Sequence, residues 1–239
     1  MERFINAALF EYSYPELFAW TVIYFLFLYF GLGTLFQKVC TLLEKAGVLS
    51  KIKTGPLFEG QLRYEIGHSL SSIILFGFSV LPIICLVRNG SVALLPNSPI
   101  NVLLGLVLLT LWNELHFYLV HRLMHHPFLM KKVHYVHHRS RIPTIYSVFS
   151  FHWFEALLLS TIPLTIVPFV PFSMLAVFLF PTVSILLNFA GHCNYRFGGG
   201  SGQMWTRFGT HHNEHHSRGR KNYGFAFFFL DRLFSKHNK

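Results

Sequence analysis

An all-α integral membrane protein is the fold predicted by this 239-residue sequence, with four to five transmembrane or re-entrant helices and a cytoplasmic, histidine-rich helical cap holding a di-metal site. Three observations predict it. The chain is 52% apolar, carries 27 Phe and is only 13% charged, about half the charge of a soluble domain. Apolar stretches recur at the roughly 20 residues needed to cross hydrocarbon. Histidine is concentrated: thirteen of the fifteen fall between His116 and His216, and the spelling HxxHH occurs twice, as His134, His137, His138 and as His212, His215, His216.

The first apolar stretch is residues 17–36, behind an N-terminus (MERFINAALFEYSYPE) too acidic, and with its apolar segment too late, for a cleaved signal peptide. QKVCTLLEKAGVLSKIKTG then places Val39, Leu42, Leu43, Ala46 and Leu49 on one face, the pattern of a helix lying in the membrane interface. His68, just ahead of the second span at 70–87, reads as an interfacial polar residue, and that span has no ionisable side chain. The third span, 100–120, differs, because Glu114 and His116 occupy its last two turns and charge inside a membrane is costly enough to signal function. Residues 156–190 are too long for one crossing and contain Pro163, Pro168, Pro171 and Pro181, predicting two short helices joined near 168–171 or a re-entrant hairpin.

Lysine and arginine number one before the first span, five in 37–69, one in 88–99, five in 121–155, none at the hairpin tip and eight after Ala190. The positive-inside rule therefore places 37–69, 121–155 and the C-terminal tail in the cytoplasm, so both HxxHH clusters share one face. The formal charge of +10 suits loops beside anionic headgroups, and no nucleic-acid-binding module is visible. Arg122, Lys131, Lys132, Arg139 and Arg141 would meet those headgroups or an acidic electron-transfer partner. Cys40, Cys85 and Cys193 form no CxxC pair and are expected as buried free thiols.

On a helix, residues three and four apart share a face, so each cluster can aim its imidazoles at a common point. His121, His125, His134, His137 and His138 with His212, His215 and His216 exceed what one four-coordinate site takes, so two metals are expected. Glu114 shares the face of His121 and His125, where its carboxylate would accept a ring N–H from a ligating histidine or coordinate directly. His152 and Glu155 share the first turn of the next helix, with His152 the stronger candidate to join the site. Asn188 and His192 are spaced by four and emerge on the same side. His126 and His211 fall off the ligand faces, and Gly198–Gly202 is a flexible connector without the GK[ST] of a phosphate loop.

The words ELHFYLVHRLMH, HYVHH, SFHWFE, NFAGH and HHNEHHSRGRKNYG, followed by DRLF, resemble the fatty acid hydroxylase / sterol desaturase superfamily from about residue 112 to 234. QLRYEIGHSLSS upstream resembles its sterol-desaturase branch. The resemblance implies one membrane-embedded domain over 1–239 and a non-haem di-iron centre held by His121, His125, His134, His137, His138, His192, His212, His215 and His216. It further implies O2 as co-substrate and hydroxylation or desaturation of a lipid, a sterol or fatty acyl chain, in lipid biosynthesis. Electrons would come from an external carrier of the cytochrome b5 or ferredoxin type, since the chain has no haem CxxCH, flavin or ferredoxin signature. Asn188 stands where some relatives carry histidine or glutamine. Glu114 and His152 are the residues expected to orient the site. Two other classes fit a His-rich membrane chain: a metal-binding protein or transporter, which needs polar ligands along the spans, and a zinc-dependent hydrolase, which needs HExxH.

Overall fold

The structure is a computed structural model that describes residues 2–197, 208–219, 221–227 and 229–235; the glycine-rich connector at 198–202 lies outside the described residues. Among those described, four helices are long and apolar enough to cross a membrane. A short α1 (Glu2–Phe10) precedes α2 (Tyr14–Leu26), which Ser13 and Glu16 open with a reciprocal capping box. A six-residue π-helical stretch, Phe27–Leu32, carries α2 into α3 (Gly33–Lys45). The expected interfacial helix is thus the continuation of the first span in one 32-residue run. Nothing breaks it before Gly47, whose φ of 73° supplies the left-handed turn that ends helices.

The next helix, α4 (Gln61–Arg88), begins nine residues before the expected span edge, an extension of about 13 Å. This extension is a post for the polar cap. Gln61 and Thr144 both hydrogen-bond the buried Glu65 carboxylate, Tyr64 donates to the Val136 carbonyl at 3.1 Å, and Arg139 lies over the Tyr64 ring at 4.5 Å. His68 packs on Tyr64 and belongs to neither cluster of histidines.

Ser98 caps α5 (Pro99–Met124). Along it Leu104, Leu108, Leu111, Leu115 and Leu119 are exposed, while Gly105, Leu109, Asn113, Phe117 and His121 are buried. An exposed leucine stripe opposite a buried face carrying Asn and His inverts the pattern of a soluble helix and suits a lipid-facing one. Gly105 lets the fourth span approach closely: a Cβ there would lie 2.7 Å from that of Ala176.

After α5 come α6 (Pro127–Leu129), a π-helical turn Met130–His134 and α7 (Tyr135–His138). The proline-rich hairpin is unequal. Its first limb holds only the eight-residue α8 (Trp153–Ser160) and a 3-10 turn at Pro163–Thr165, while its second is the 19-residue α9 (Met174–His192). Pro181 does not end α9; one turn earlier the Tyr24 hydroxyl donates to the Phe178 carbonyl at 3.1 Å, supplying a hydrogen bond beside the proline break. The chain closes with α10 (Phe208–Arg218) and α11 (Phe229–Ser235).

Two short ladders fix which loops are neighbours. β1 (Ser50–Lys51) pairs antiparallel with β4 (Tyr195–Arg196), and β2 (Leu94–Leu95) pairs parallel with β3 (Phe172–Ser173). The hairpin tip therefore sits with the α4–α5 loop, and the segment after α9 sits with the loop after α3, beside the histidines. Two buried apolar cores follow the same division, one around Tyr29, Phe117 and Phe189 and one around Leu9, Ile83 and Phe172.

Candidate metal centre

All nine histidines singled out as ligands come together, in two groups. His121, His125, His134, His138 and His215 form one and His137, His192, His212 and His216 the other, with one ring nitrogen of each within 4.8 Å of those of its group. Helical geometry divides each HxxHH. His134 and His138, four apart on successive turns, face the first group, and His137, about 100° away from His138, faces the second. On α10 the division is reversed: His212 and His216 face the second group and His215 the first. α7 and α10 thus lie between the groups and serve both. His121 and His125 come from the end of α5, and His192 is the last residue of α9.

The spacing within each group is that of ligands. His215 Nε2 lies 3.0 Å from Nε2 of both His125 and His138, and His192 Nε2 lies 3.4, 3.2 and 3.2 Å from those of His137, His212 and His216. Two nitrogens on one metal at bonds of about 2.1 Å are roughly 3.0 to 3.4 Å apart between octahedral and tetrahedral angles. The outward nitrogens are held by the protein: His121 Nδ1 by the Tyr223 carbonyl at 2.8 Å, His192 Nδ1 by Asn188 O at 2.9 Å and His215 Nδ1 by Lys221 O at 2.6 Å. A carbonyl can only accept, so these three rings carry the proton on Nδ1 and turn a bare Nε2 lone pair inward.

Nε2 of His121 and His134 are buried with no partner at all. Burial also holds the rings uncharged: His125 and His134 are pushed down to about 3, and His137, His138, His212, His215 and His216 fall well below the ordinary imidazole value, desolvation being the largest cause in each. Neutral, inward-facing, unpartnered imidazoles are the form that binds a metal ion. The residues present fit one metal in each group.

The carboxylates are arranged otherwise than spacing suggests. Glu155, buried, accepts the Nδ1–H of His134 at 2.8 Å. Glu114 touches no histidine of either group; its two oxygens accept the backbone N–H groups of Phe225, Ala226 and Phe227 at 2.9, 2.9 and 3.1 Å. His152 is the N-cap of α8, its Nδ1 accepting from the Phe154 N–H at 3.2 Å, and lies outside both groups. So do His126, His211 and Cys193, and Asn188 spends its amide on the Val148 carbonyl. Replacing Glu155 with leucine, which fills the space without accepting, will weaken metal binding about 10- to 100-fold, measured by competition with a chelator.

The loop after α10 is pinned by two carboxylates. Asp231 accepts from the N–H groups of Tyr223 and Gly224 at 2.9 and 2.8 Å, and Glu114 holds the three residues that follow. Gly224 admits no side chain, since a Cβ would collide with the Phe227 carbonyl. Because this loop supplies the carbonyls on His121 and His215, Glu114 and Asp231 position those rings from a distance.

An apolar cavity of about 480 Å³ runs between the spans from Ile5 and Leu9 of α1 to Phe117, Phe151 and Phe225, and none of the described histidines lines it. Phe117, Phe151 and Phe225 form its inner end; the Phe117 and Phe151 rings lie 5.0 Å from His121 and 4.8 Å from His137.

Residues 106–236, more than half of the chain, match the family model for fatty acid hydroxylase. The chain belongs to the fatty acid hydroxylase family. Similar proteins include the Delta(7)-sterol 5(6)-desaturase erg3C of Aspergillus fumigatus, 28% identical over 74% of this chain and 63% of that one. The lathosterol oxidase of Rattus norvegicus is 29% identical over 58% of this chain and 46% of its own length. The fatty acid hydroxylase domain-containing protein 2 of Homo sapiens is 33% identical over 39% and 28%. The chain thus matches about two thirds or less of the length of these relatives. No solved structure matches it.

Within the family region lie all nine grouped histidines, Glu114, Glu155 and Asp231. Spacing does not single out Asp231 or the carbonyls of Lys221 and Tyr223. The hints in the sequence are the run KNYG close behind the second HxxHH, where a glycine marks a tight backbone, and the DRLF that follows it.

Proposed function

We propose that this member of the fatty acid hydroxylase family is a membrane-bound non-haem di-iron oxidoreductase that uses O2 and an external electron donor to hydroxylate or desaturate a lipid, a sterol or fatty acyl chain. The observation that carries this reading is the placement of two converging histidine groups directly behind Phe117 and Phe151, rings that line an apolar cavity between the spans. All-imidazole sites suit a redox-active metal, and iron so held would supply oxygen activation strong enough for an unactivated C–H bond.

The chain's own residues do the rest. His121, His125, His134, His138 and His215 hold one iron, and His137, His192, His212 and His216 hold the other. Glu155 and the carbonyls of Tyr223, Asn188 and Lys221 keep the ring protons on the outside. Phe117, Phe151 and Phe225 exclude water and present an apolar segment of lipid, entering from the bilayer, to the histidines. The basic face around them would lie in the cytoplasm, where a cytochrome b5 or ferredoxin type of carrier docks. A hydrolase is less well served, because no carboxylate among the described residues joins either group as a general base, and an apolar cavity gives a transported cation no path.

Elemental analysis and Mössbauer spectroscopy of protein purified from cells grown in isotopically enriched iron test the reading. Iron in both groups, coupled as a pair, is expected, together with oxygen consumption on reduction. Zinc alone after iron-replete growth, with no oxygen consumed, would overturn it.

A further inference from the structure

The polar side chains that line the cavity mostly bond within the protein. Thr21 donates to the Leu17 carbonyl, Ser79 to that of Phe76, Ser160 to that of Leu157 and Asn188 to that of Val148. Asn113 does not. It lines the cavity from α5, is 1% exposed, and its Nδ2 is buried without a partner. Native proteins satisfy nearly all such groups, so an orphan amide on the wall of a ligand-sized cavity marks where something outside the chain completes the bonding.

The position of this amide carries the argument further. Asn113, Phe117 and His121 succeed one another at intervals of four along the buried face of α5. Eight residues of helix place Asn113 about 12 Å from His121 along the axis, with the Phe117 ring between them, 5.0 Å from that of His121. An amide nitrogen donates, so its partner is an oxygen acceptor. A hydrocarbon chain alone would leave it unsatisfied.

We infer that Asn113 hydrogen-bonds a hydroxyl or carbonyl oxygen of the lipid that fills the cavity, and so determines which carbon, about 12 Å further along α5, faces the histidines. This rests on the lipid reading of the cavity proposed above. The side chain acts as a specificity-determining residue: it anchors the polar end, and the distance to His121 selects the carbon. The oxygen can belong to a sterol hydroxyl or to an acyl carbonyl, which share this chemistry.

The test measures binding of two matched pairs, cholesterol with cholestane and methyl hexadecanoate with hexadecane, to the full chain purified in detergent. The parent protein is expected to prefer the oxygen-bearing member of one pair by about tenfold, as one hydrogen bond supplies, and the pair that shows it identifies the source. Asn113→Leu should bind the hydrocarbon as well as the parent does and lose the preference. Asn113→Ala, which removes the amide without adding bulk, should lose it too and guards against a packing defect in the leucine variant. Retention of the parental preference by Asn113→Ala, or a parent that binds both members of each pair equally, overturns the role of Asn113 and leaves the lipid cavity standing. A parent that binds none of the four overturns the lipid reading and this inference with it.

Discussion

His215→Ala and His192→Ala proteins will each retain about half of the parental metal and lose activity at least hundredfold, an expectation set by the loss of a directly ligating ring rather than of its outer partner. Each is the hub of its group: His215 Nε2 stands 3.0 Å from two other ring nitrogens and His192 Nε2 within 3.4 Å of three. Removing either ring leaves the other group's set intact, since no histidine belongs to both. His126→Ala is the control, because His126 is exposed and belongs to neither group. Metal per chain by elemental analysis decides the matter; a full complement in both hub variants would break the assignment of ligands.

Gly209→Ala will do comparable damage from outside the histidine set. A Cβ at Gly209 would collide with the Ala190 carbonyl, which is helical backbone and cannot swing aside. α10 must then withdraw from α9, carrying His212 and His216 away from His192. Overpacking of this kind costs about 1–3 kcal/mol, and because ligating groups tolerate displacements of only about 0.5 Å, metal affinity of the second group should fall at least tenfold. Gly191 faces the same interface, yet a Cβ there would meet His212 at an ordinary 3.4 Å. Gly191→Ala should therefore be mild. Thermal unfolding and chelator titration of the two variants side by side would expose the difference, and equal behaviour would refute the close-contact argument.

The histidines were legible because ligand spacing on a helix is a local property, written within four residues. Their division into five and four was not. Which ring of an HxxHH turns to which partner depends on how α7 and α10 cross, and on the π-helical turn at Met130–His134, which shifts the facing of His134 by an amount no periodicity reveals. The carboxylates show the same limit. Glu114 lies on the face of His121 by counting, but a loop more than a hundred residues away occupies it with three N–H groups. Glu155 reaches His134 across 21 residues, a contact that only the tertiary fold creates.

Membrane class was legible because an apolar composition has no other stable setting. The lengths of individual helices were not, since polar extensions such as Gln61–Leu70 of α4 are held by contacts with the 136–146 segment rather than by hydrophobicity. The hairpin was anticipated by its prolines, but its unequal limbs were not. Pro181 looks like a breaker in sequence and is carried inside α9, where the Tyr24 hydroxyl, from the first span, bonds to its exposed backbone turn.

The sharing of α10 between both histidine groups bears on how the protein comes into being. Six of the nine rings are synthesised with the spans, but the remaining three, His212, His215 and His216, emerge from the ribosome only after the last of the four crossings. Until then the first group lacks one member and the second lacks two, and the loop that orients His121 has yet to be made. A nascent chain already threaded into the bilayer therefore holds two incomplete sets of imidazoles, and both sets are completed in one event, the docking of α10.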